Sequence, residues 1–217
     1  MKEYKVERVL NGKLAEYCYL VHDEDSKECI CIDPGYDKER IFRFIDSREL
    51  TVKEVLLTHG HFDHMLSCYD LQKRFGSNIY ISKEDEEILY NAEHNYSNLI
   101  NKTSFDKFEI KSFVKDNEEI ELLGRNIKCI STPGHTKGGM SYYFENEKMV
   151  FSGDTLFFET FGRIDLYGGS YKEIKNSIVN KLFTLPNDVI VYPGHGEMTS
   201  IGKEKLHNEI RSMSYEL

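Results

Sequence analysis

The chain has 217 residues, of which 40% are apolar, and 37 Asp and Glu outnumber 28 Lys and Arg to give a formal charge of −9. That length suits one domain over 1–217 with a sizeable core. The acidic balance argues against a nucleic-acid partner, which needs a basic face, and no apolar run is long enough for a membrane span.

The charged start, Met1-Lys2-Glu3-Tyr4-Lys5-Val6, holds no apolar stretch of signal-peptide length. It leads into a predicted strand over 4–9, with further strands expected at 17–21, 29–33, 52–58 and 79–82 and helices at 38–45 and 65–75. Residues 84–113 mix Asn, Asp, aromatic and single aliphatic residues without a clear period, which reads as a lid or binding loop. Strands at 127–131, 140–144, 149–152 and 189–192 form a second predicted sheet, with helices at 171–183 and 203–213. The odd count of five cysteines, Cys18, Cys29, Cys31, Cys68 and Cys129, among apolar neighbours suits reduced thiols and a cytoplasmic location. Cys29 and Cys31 share a strand face but have no second pair with which to build a zinc ribbon.

The densest chemistry lies where the 52–58 strand turns into the next helix. Thr58-His59-Gly60-His61-Phe62-Asp63-His64 packs three imidazoles and a carboxylate into six residues, which core formation gives no reason to assemble. His59 and His61, two apart, can point to one side of an extended backbone, whereas Asp63 and His64 need a chain already curling into the helix. Gly60 gives the turn its freedom. The spacing therefore suggests two ligand pairs aimed at two neighbouring places. Imidazole with carboxylate suits zinc, iron or manganese. One metal takes three or four ligands, and three other strand ends each offer one: Ser131-Thr132-Pro133-Gly134-His135-Thr136, Ser152-Gly153-Asp154-Thr155 and Tyr192-Pro193-Gly194-His195-Gly196. His22, His94 and His207 have no partner at useful spacing and read as surface or hydrogen-bonded core residues, His94 standing inside the possible lid. Asp33, before Pro34-Gly35, either braces its turn or hydrogen-bonds a ligand histidine from behind.

Two divalent ions about 3.5 to 4 Å apart would share a water and bring its pKa from about 15.7 toward neutrality, so that hydroxide can attack a carbonyl carbon while a metal steadies the oxyanion. Asp63 could accept a proton as well as bind metal.

These five turns, in this order and in these strand contexts, resemble the metallo-β-lactamase superfamily over nearly the whole chain. The resemblance implies an α/β fold of αββα type, two mixed sheets face to face with helices outside. It implies a first metal held by His59, His61 and His135, a second held by Asp63, His64 and His195, and Asp154 bridging both. His64 stands where β-lactamases of the family commonly have Arg, and so resembles the two-metal hydrolase branches.

Phe161-Gly162-Arg163-Ile164-Asp165-Leu166-Tyr167-Gly168-Gly169 is similar to the Gly-Arg-x-Asp segment of short glyoxalase II-like hydrolases, and Thr199 to Asn208 is similar to their tail. The resemblance implies hydrolysis of a 2-hydroxyacyl thioester such as S-lactoylglutathione, with a small-molecule partner. Longer members have Lys-Phe-Tyr where this chain has Arg163-Ile164-Asp165, and add a C-terminal helical domain for which the 22 residues after His195 leave no room. Thioester hydrolysis is thus better supported than glutathione as the thiol. Arg163 either grips a substrate carboxylate or is held as structure by Asp165 or Asp33.

Persulfide dioxygenases of the same superfamily share these motifs but use one iron, at the positions of His59, His135 and Asp154. Phe62 replaces the small residue expected there, and Phe158-Glu159-Thr160-Phe161 lacks their usual Arg and Cys. A lactone hydrolase with the same two metals is a nearer alternative, and a purely structural site a remote one, since it would fill every coordination position. Zinc is the first candidate, then iron or manganese, and the residues say nothing of oligomeric state.

Overall fold

The computed structural model describes residues 4–212; residues 1–3 of the charged start, and Met213 at the end of the last predicted helix, lie outside the described residues. In the first half, β1 (Tyr4–Asn11), β2 (Glu16–Asp23) and β3 (Glu28–Ile32) run antiparallel, and β4 (Thr51–Leu56), β5 (Asn78–Ser82) and β6 (Ile110–Val114) continue the sheet in parallel from β3. In the second half, β7 (Glu119–Leu122), β8 (Arg125–Ser131), β9 (Met140–Phe144) and β10 (Met149–Gly153) form a meander, to which β11 (Ile190–Pro193) adds in parallel and β12 (Thr199–Ser200) antiparallel. Two mixed sheets result, as the αββα expectation requires.

Period-two alternation divides the core into three layers. Cys18 and Leu20 of β2 and Cys29 and Cys31 of β3 face α1 (Lys38–Ser47) and α3 (Cys68–Phe75), where they meet Ile41, Ile45 and Leu71. Their neighbours Tyr19, Val21, Ile30 and Ile32 face the other way, onto Tyr142, Phe144 and Phe151 of the second sheet. Behind that sheet, Tyr143, Val150 and Val191 pack on α5 (Tyr171–Asn180) and α6 (Ile201–His207) through Ile174, Ile178 and Ile201. All five cysteines are buried free thiols. Side-chain caps start three helices: Asp37 accepts from the Arg40 N–H, Ser170 from Glu173 and Ser200 from Lys203.

The structure corrects several boundaries. The helix expected over 65–75 begins at Phe62 and breaks in two, α2 (Phe62–Met65) and α3, because Ser67 gives its N–H to Pro34 O at 3.1 Å and its hydroxyl to Gly35 O. The helix expected over 171–183 stops at Asn180 and continues as a 3₁₀ turn, Leu182–Thr184. Similarly, α6 starts at Ile201 and ends where Asn208 turns extended. The stretch 84–113 is not one irregular loop: it contains α4 (Glu86–Leu89), a 3₁₀ turn at Ser97–Ile100 and β6. As an edge strand with Lys111 and Ser112 exposed, β6 has no alternation to read.

The direction of the strands places the site. Because β3 and β4 are parallel, and β8, β10 and β11 all run one way, the turns after these five strands share one edge of the sandwich. The two sheets are tied there by the Tyr142 hydroxyl donating to Leu57 O at 2.8 Å and the Met140 N–H donating to Thr58 O at 2.8 Å.

Candidate metal centre

At that edge the turns bring their donors together. His59, His61 and His135 form one group and Asp63, His64 and His195 a second, with the donor atoms of each within 4.8 Å of one another. Asp154 stands between them: Oδ1 is 3.5 Å from His64 Nε2, and Oδ2 is 3.5 Å from both His135 Nε2 and His195 Nε2. Asp63 and His64 reach their group because they lie in the first turn of α2. Gly60 contributes otherwise than expected. Its φ is not positive; instead, a Cβ there would meet Ile88 Cγ1 at 2.7 Å, so the residue is glycine for want of space.

Hydrogen bonds behind the rings set their tautomers. His135 Nδ1–H donates to Arg163 O at 2.7 Å and His195 Nδ1–H to Leu14 O at 3.1 Å, since a carbonyl can only accept. Of the two roles considered for Asp33, the structure shows the hydrogen bond to a histidine, and the turn it braces is that of Thr58 instead of its own: Oδ1 accepts the Thr58 N–H at 2.7 Å, and Oδ2 accepts the Thr58 hydroxyl at 2.6 Å and His64 Nδ1–H at 2.9 Å. Having given its proton to Asp33, the Thr58 oxygen accepts from His59 Nδ1 at 3.0 Å. Four imidazoles are thereby turned with Nε2 toward the centre, an arrangement that orients metal ligands and raises their basicity.

The electrostatics call for cations. Burial, then the neighbouring rings, holds His59 and His61 well below the usual imidazole pKa, and burial also lowers His135, so all three present lone pairs at neutral pH. Burial opposes charge on His64 too, but the carboxylates of Asp154, Asp63 and Asp33 outweigh it and push this ring up to about 10. Against its own burial, Asp63 is held below the usual carboxylate range by His64 and His195. Nε2 of His59, His61 and His64 and Oδ1 of Asp154 are buried with no hydrogen-bond partner. Buried polar atoms left unpaired in this way are costly, and the set fits divalent cations, which would supply the charge and the bonds together.

Arg163 is exposed and paired with Asp165, Nε and Nη2 each donating at 2.7 Å; Asp33 does not touch it. His22, His94 and His207 join no metal-binding group among the described residues. His94 stacks on Tyr167 at 3.7 Å, and with Tyr96 Oη accepting the Tyr167 N–H and Asn95 O accepting the Phe62 N–H it docks the expected lid onto the site.

One residue escaped the sequence reading. Asp85, almost wholly buried, accepts from the Gly60 N–H at 3.0 Å, the Thr136 hydroxyl at 2.8 Å and the Gly138 N–H at 2.6 Å. It thus clasps the His59-Gly60-His61 turn to the loop that carries His135. Burial pushes its carboxyl up to about 6, although the three donors pull the other way. Nothing in Lys83-Glu84-Asp85-Glu86 marks one acid of three as buried.

Beside the donors lies a cavity of about 430 Å³, walled by Phe62, Tyr96, Phe157, Phe161 and Leu166 and floored by His61, Asp63, His135, Asp154 and His195. Facing sheets with an imidazole and carboxylate cluster on their shared edge, opening into such a cavity, make a centre suited to divalent cations. The family is shown directly: residues 11–195 match the metallo-beta-lactamase superfamily, and the chain belongs to it. It is 35% identical to hydroxyacylglutathione hydrolase GloC of Haemophilus influenzae, over 88% of this chain and 90% of that one. Among solved structures it is similar to the BLEG-1 B3 metallo-beta-lactamase, with a TM-score of 0.88 and 31% identity over 94% of this chain and 98% of that one. It is also similar to TTHA1623, crystallised in a di-iron-bound form, with a TM-score of 0.81 and 29% identity over 93% and 98% of the two chains.

Proposed function

We propose that the chain is a two-metal hydrolase of thioesters, acting on a small 2-hydroxyacyl thioester of which S-lactoylglutathione is the type. The observation that carries this reading is the pair of three-donor groups with Asp154 between them, open on one side to a substrate-sized cavity. The likeness to a hydroxyacylglutathione hydrolase supports the thioester, and a relative in a di-iron-bound form supports two metals. His59, His61 and His135 are the proposed ligands of one cation and Asp63, His64 and His195 those of the other, with Asp154 shared. Zinc is the first candidate, then iron or manganese.

Bound divalent cations would lower the pKa of a water from about 15.7 toward neutrality and polarise a carbonyl oxygen. The protein's own part is positional. Asp33 fixes His64 directly and His59 through Thr58, while the carbonyls of Arg163 and Leu14 fix His135 and His195. Ionised Asp63, with Oδ2 3.4 Å from His195 Nε2, holds negative charge at the cavity floor and is the group placed to take the proton of an attacking water. In the reaction a C–O bond forms, the C–S bond breaks, and the sulfur leaves as a thiolate that needs little protonation.

The test is hydrolysis of S-lactoylglutathione, and beside it of a lactoyl thioester of a different thiol, by protein loaded with zinc, manganese or iron, with Asp63→Ala as control. Turnover that the control loses supports the reading. No hydrolysis with any metal rejects it, in favour of lactone cleavage or of an iron-dependent dioxygenase, which would need only the positions of His59, His135 and Asp154.

A further inference from the structure

The cavity next to the donors is larger than a small acyl group needs. A lactoyl arm has five non-hydrogen atoms, whereas about 430 Å³ lies within the range of roughly 300–1,000 Å³ that accommodates whole small molecules. If the acyl part is a 2-hydroxy acid, as proposed above, most of this space belongs to the arm on sulfur.

The wall says what kind of arm. Leu14, Phe62, Leu99, Phe157, Phe161 and Leu166 all face the space, and Leu14 and Leu99 are 52% and 73% exposed. Leu14 lies in the turn after β1 and Leu99 in the 3₁₀ turn Ser97–Ile100, so two distant segments each bring a large aliphatic side chain to the cavity. Apart from the donor groups themselves, the lining residues include one charged side chain, Arg163. Its Nε and Nη2 are both engaged by Asp165, so the pair contributes no net charge. The nearby Lys137 ammonium stands 5.3 Å from the Tyr167 ring centre and 3.7 Å from Glu87. Glutathione carries two carboxylates, and a site that selects it needs cations free to pair with them. This wall offers apolar surface instead, which rewards an arm that can be desolvated without loss.

We infer that the thiol released by this enzyme is uncharged and apolar along the part that occupies the cavity, and that glutathione is not its preferred thiol. The inference rests on the thioester-hydrolase reading and narrows its substrate class.

The experiment compares kcat/KM of the metal-loaded enzyme for lactoyl thioesters of benzyl mercaptan, N-acetylcysteamine and glutathione, each divided by its uncatalysed hydrolysis rate in hydroxide. The expected order is benzyl, then N-acetylcysteamine, then glutathione, with benzyl ahead of glutathione by about tenfold or more, the gain from burying one aromatic group. Leu166→Lys, which adds a cation to the wall, is expected to shrink that ratio severalfold, mainly through KM. A glutathione thioester cleaved as well as or better than the benzyl one overturns the inference and leaves the thioesterase reading standing. An unchanged ratio in Leu166→Lys also overturns it, because selection would then lie outside the cavity. If none of the three is cleaved, the thioesterase reading itself fails and the inference falls with it.

Discussion

At the scale of single residues, the centre is built from side chains whose back sides are held as firmly as their front sides are left free. Asp154→Ala and His64→Ala remove one donor each from a buried cluster; both proteins are expected to stay folded by circular dichroism while losing bound metal and nearly all turnover. Asp33 touches no cavity, yet it holds His64 and, through Thr58, His59. Asp33→Asn is therefore expected to weaken metal binding by about 10- to 100-fold in chelator competition. Gly194 tests the same centre sterically. A Cβ at this position would lie 2.2 Å from Asp154 Oδ1 and 2.7 Å from His64 Cε1, so Gly194→Ala should displace both and lower metal content, read by elemental analysis. The histidines of this centre were legible in the sequence because three strand ends deliver them in separate motifs, and a fourth delivers Asp154. Asp85 was not, because nothing local distinguishes a buried acid from the solvated ones beside it; the Arg163–Asp165 pairing was one of the alternatives the sequence left open, and the structure adopts it.

At the scale of elements, the segment between β5 and β6 is a clasp as well as a cover. Asp85 binds two ligand-bearing loops at once, and its loss leaves the Gly60 and Gly138 N–H groups and the Thr136 hydroxyl without a buried acceptor. Asp85→Ala should destabilise the protein by about 3 kcal/mol in urea titration, and Asp85→Asn, which keeps one acceptor, by less. The pH dependence has a definite sign. With its folded pKa at about 6, above the ordinary value for aspartate, the folded state holds the Asp85 proton where the unfolded state has lost it. Its contribution to stability thus falls as pH rises from about 4 to about 6. A stability-against-pH curve for Asp85→Asn should lack that descent, and an unaltered curve would show that the group does not titrate there. Most strands were legible from their composition and period, with ends shifted by a residue or two, whereas the helices expected to run to 183 and 213 end at Asn180 and His207. The break between α2 and α3 was not, because it depends on Ser67 reaching back to Pro34 and Gly35, a contact that exists only once the sheet has formed.

At the scale of the whole molecule, two sheets meet along an edge where buried histidines and carboxylates would face one another without compensation unless cations bind. Metal should therefore stabilise the fold. At free metal about 100-fold above Kd, one site adds roughly 2.7 kcal/mol, which for a chain of this size is a rise in Tm of at least about 5 °C; calorimetry before and after chelation reads it directly. The layered architecture was expected from the family resemblance, and the structure realises it by alternating Tyr19, Val21, Ile30 and Ile32 with Cys18, Leu20, Cys29 and Cys31 across the sheet. The most direct test of the two-metal assignment is the rate of lactoyl thioester hydrolysis as metal-free protein is titrated with zinc, manganese or iron. Activity that climbs to a plateau at two metals per chain is the expected result; a plateau at one metal, or no hydrolysis at any ratio, would contradict it.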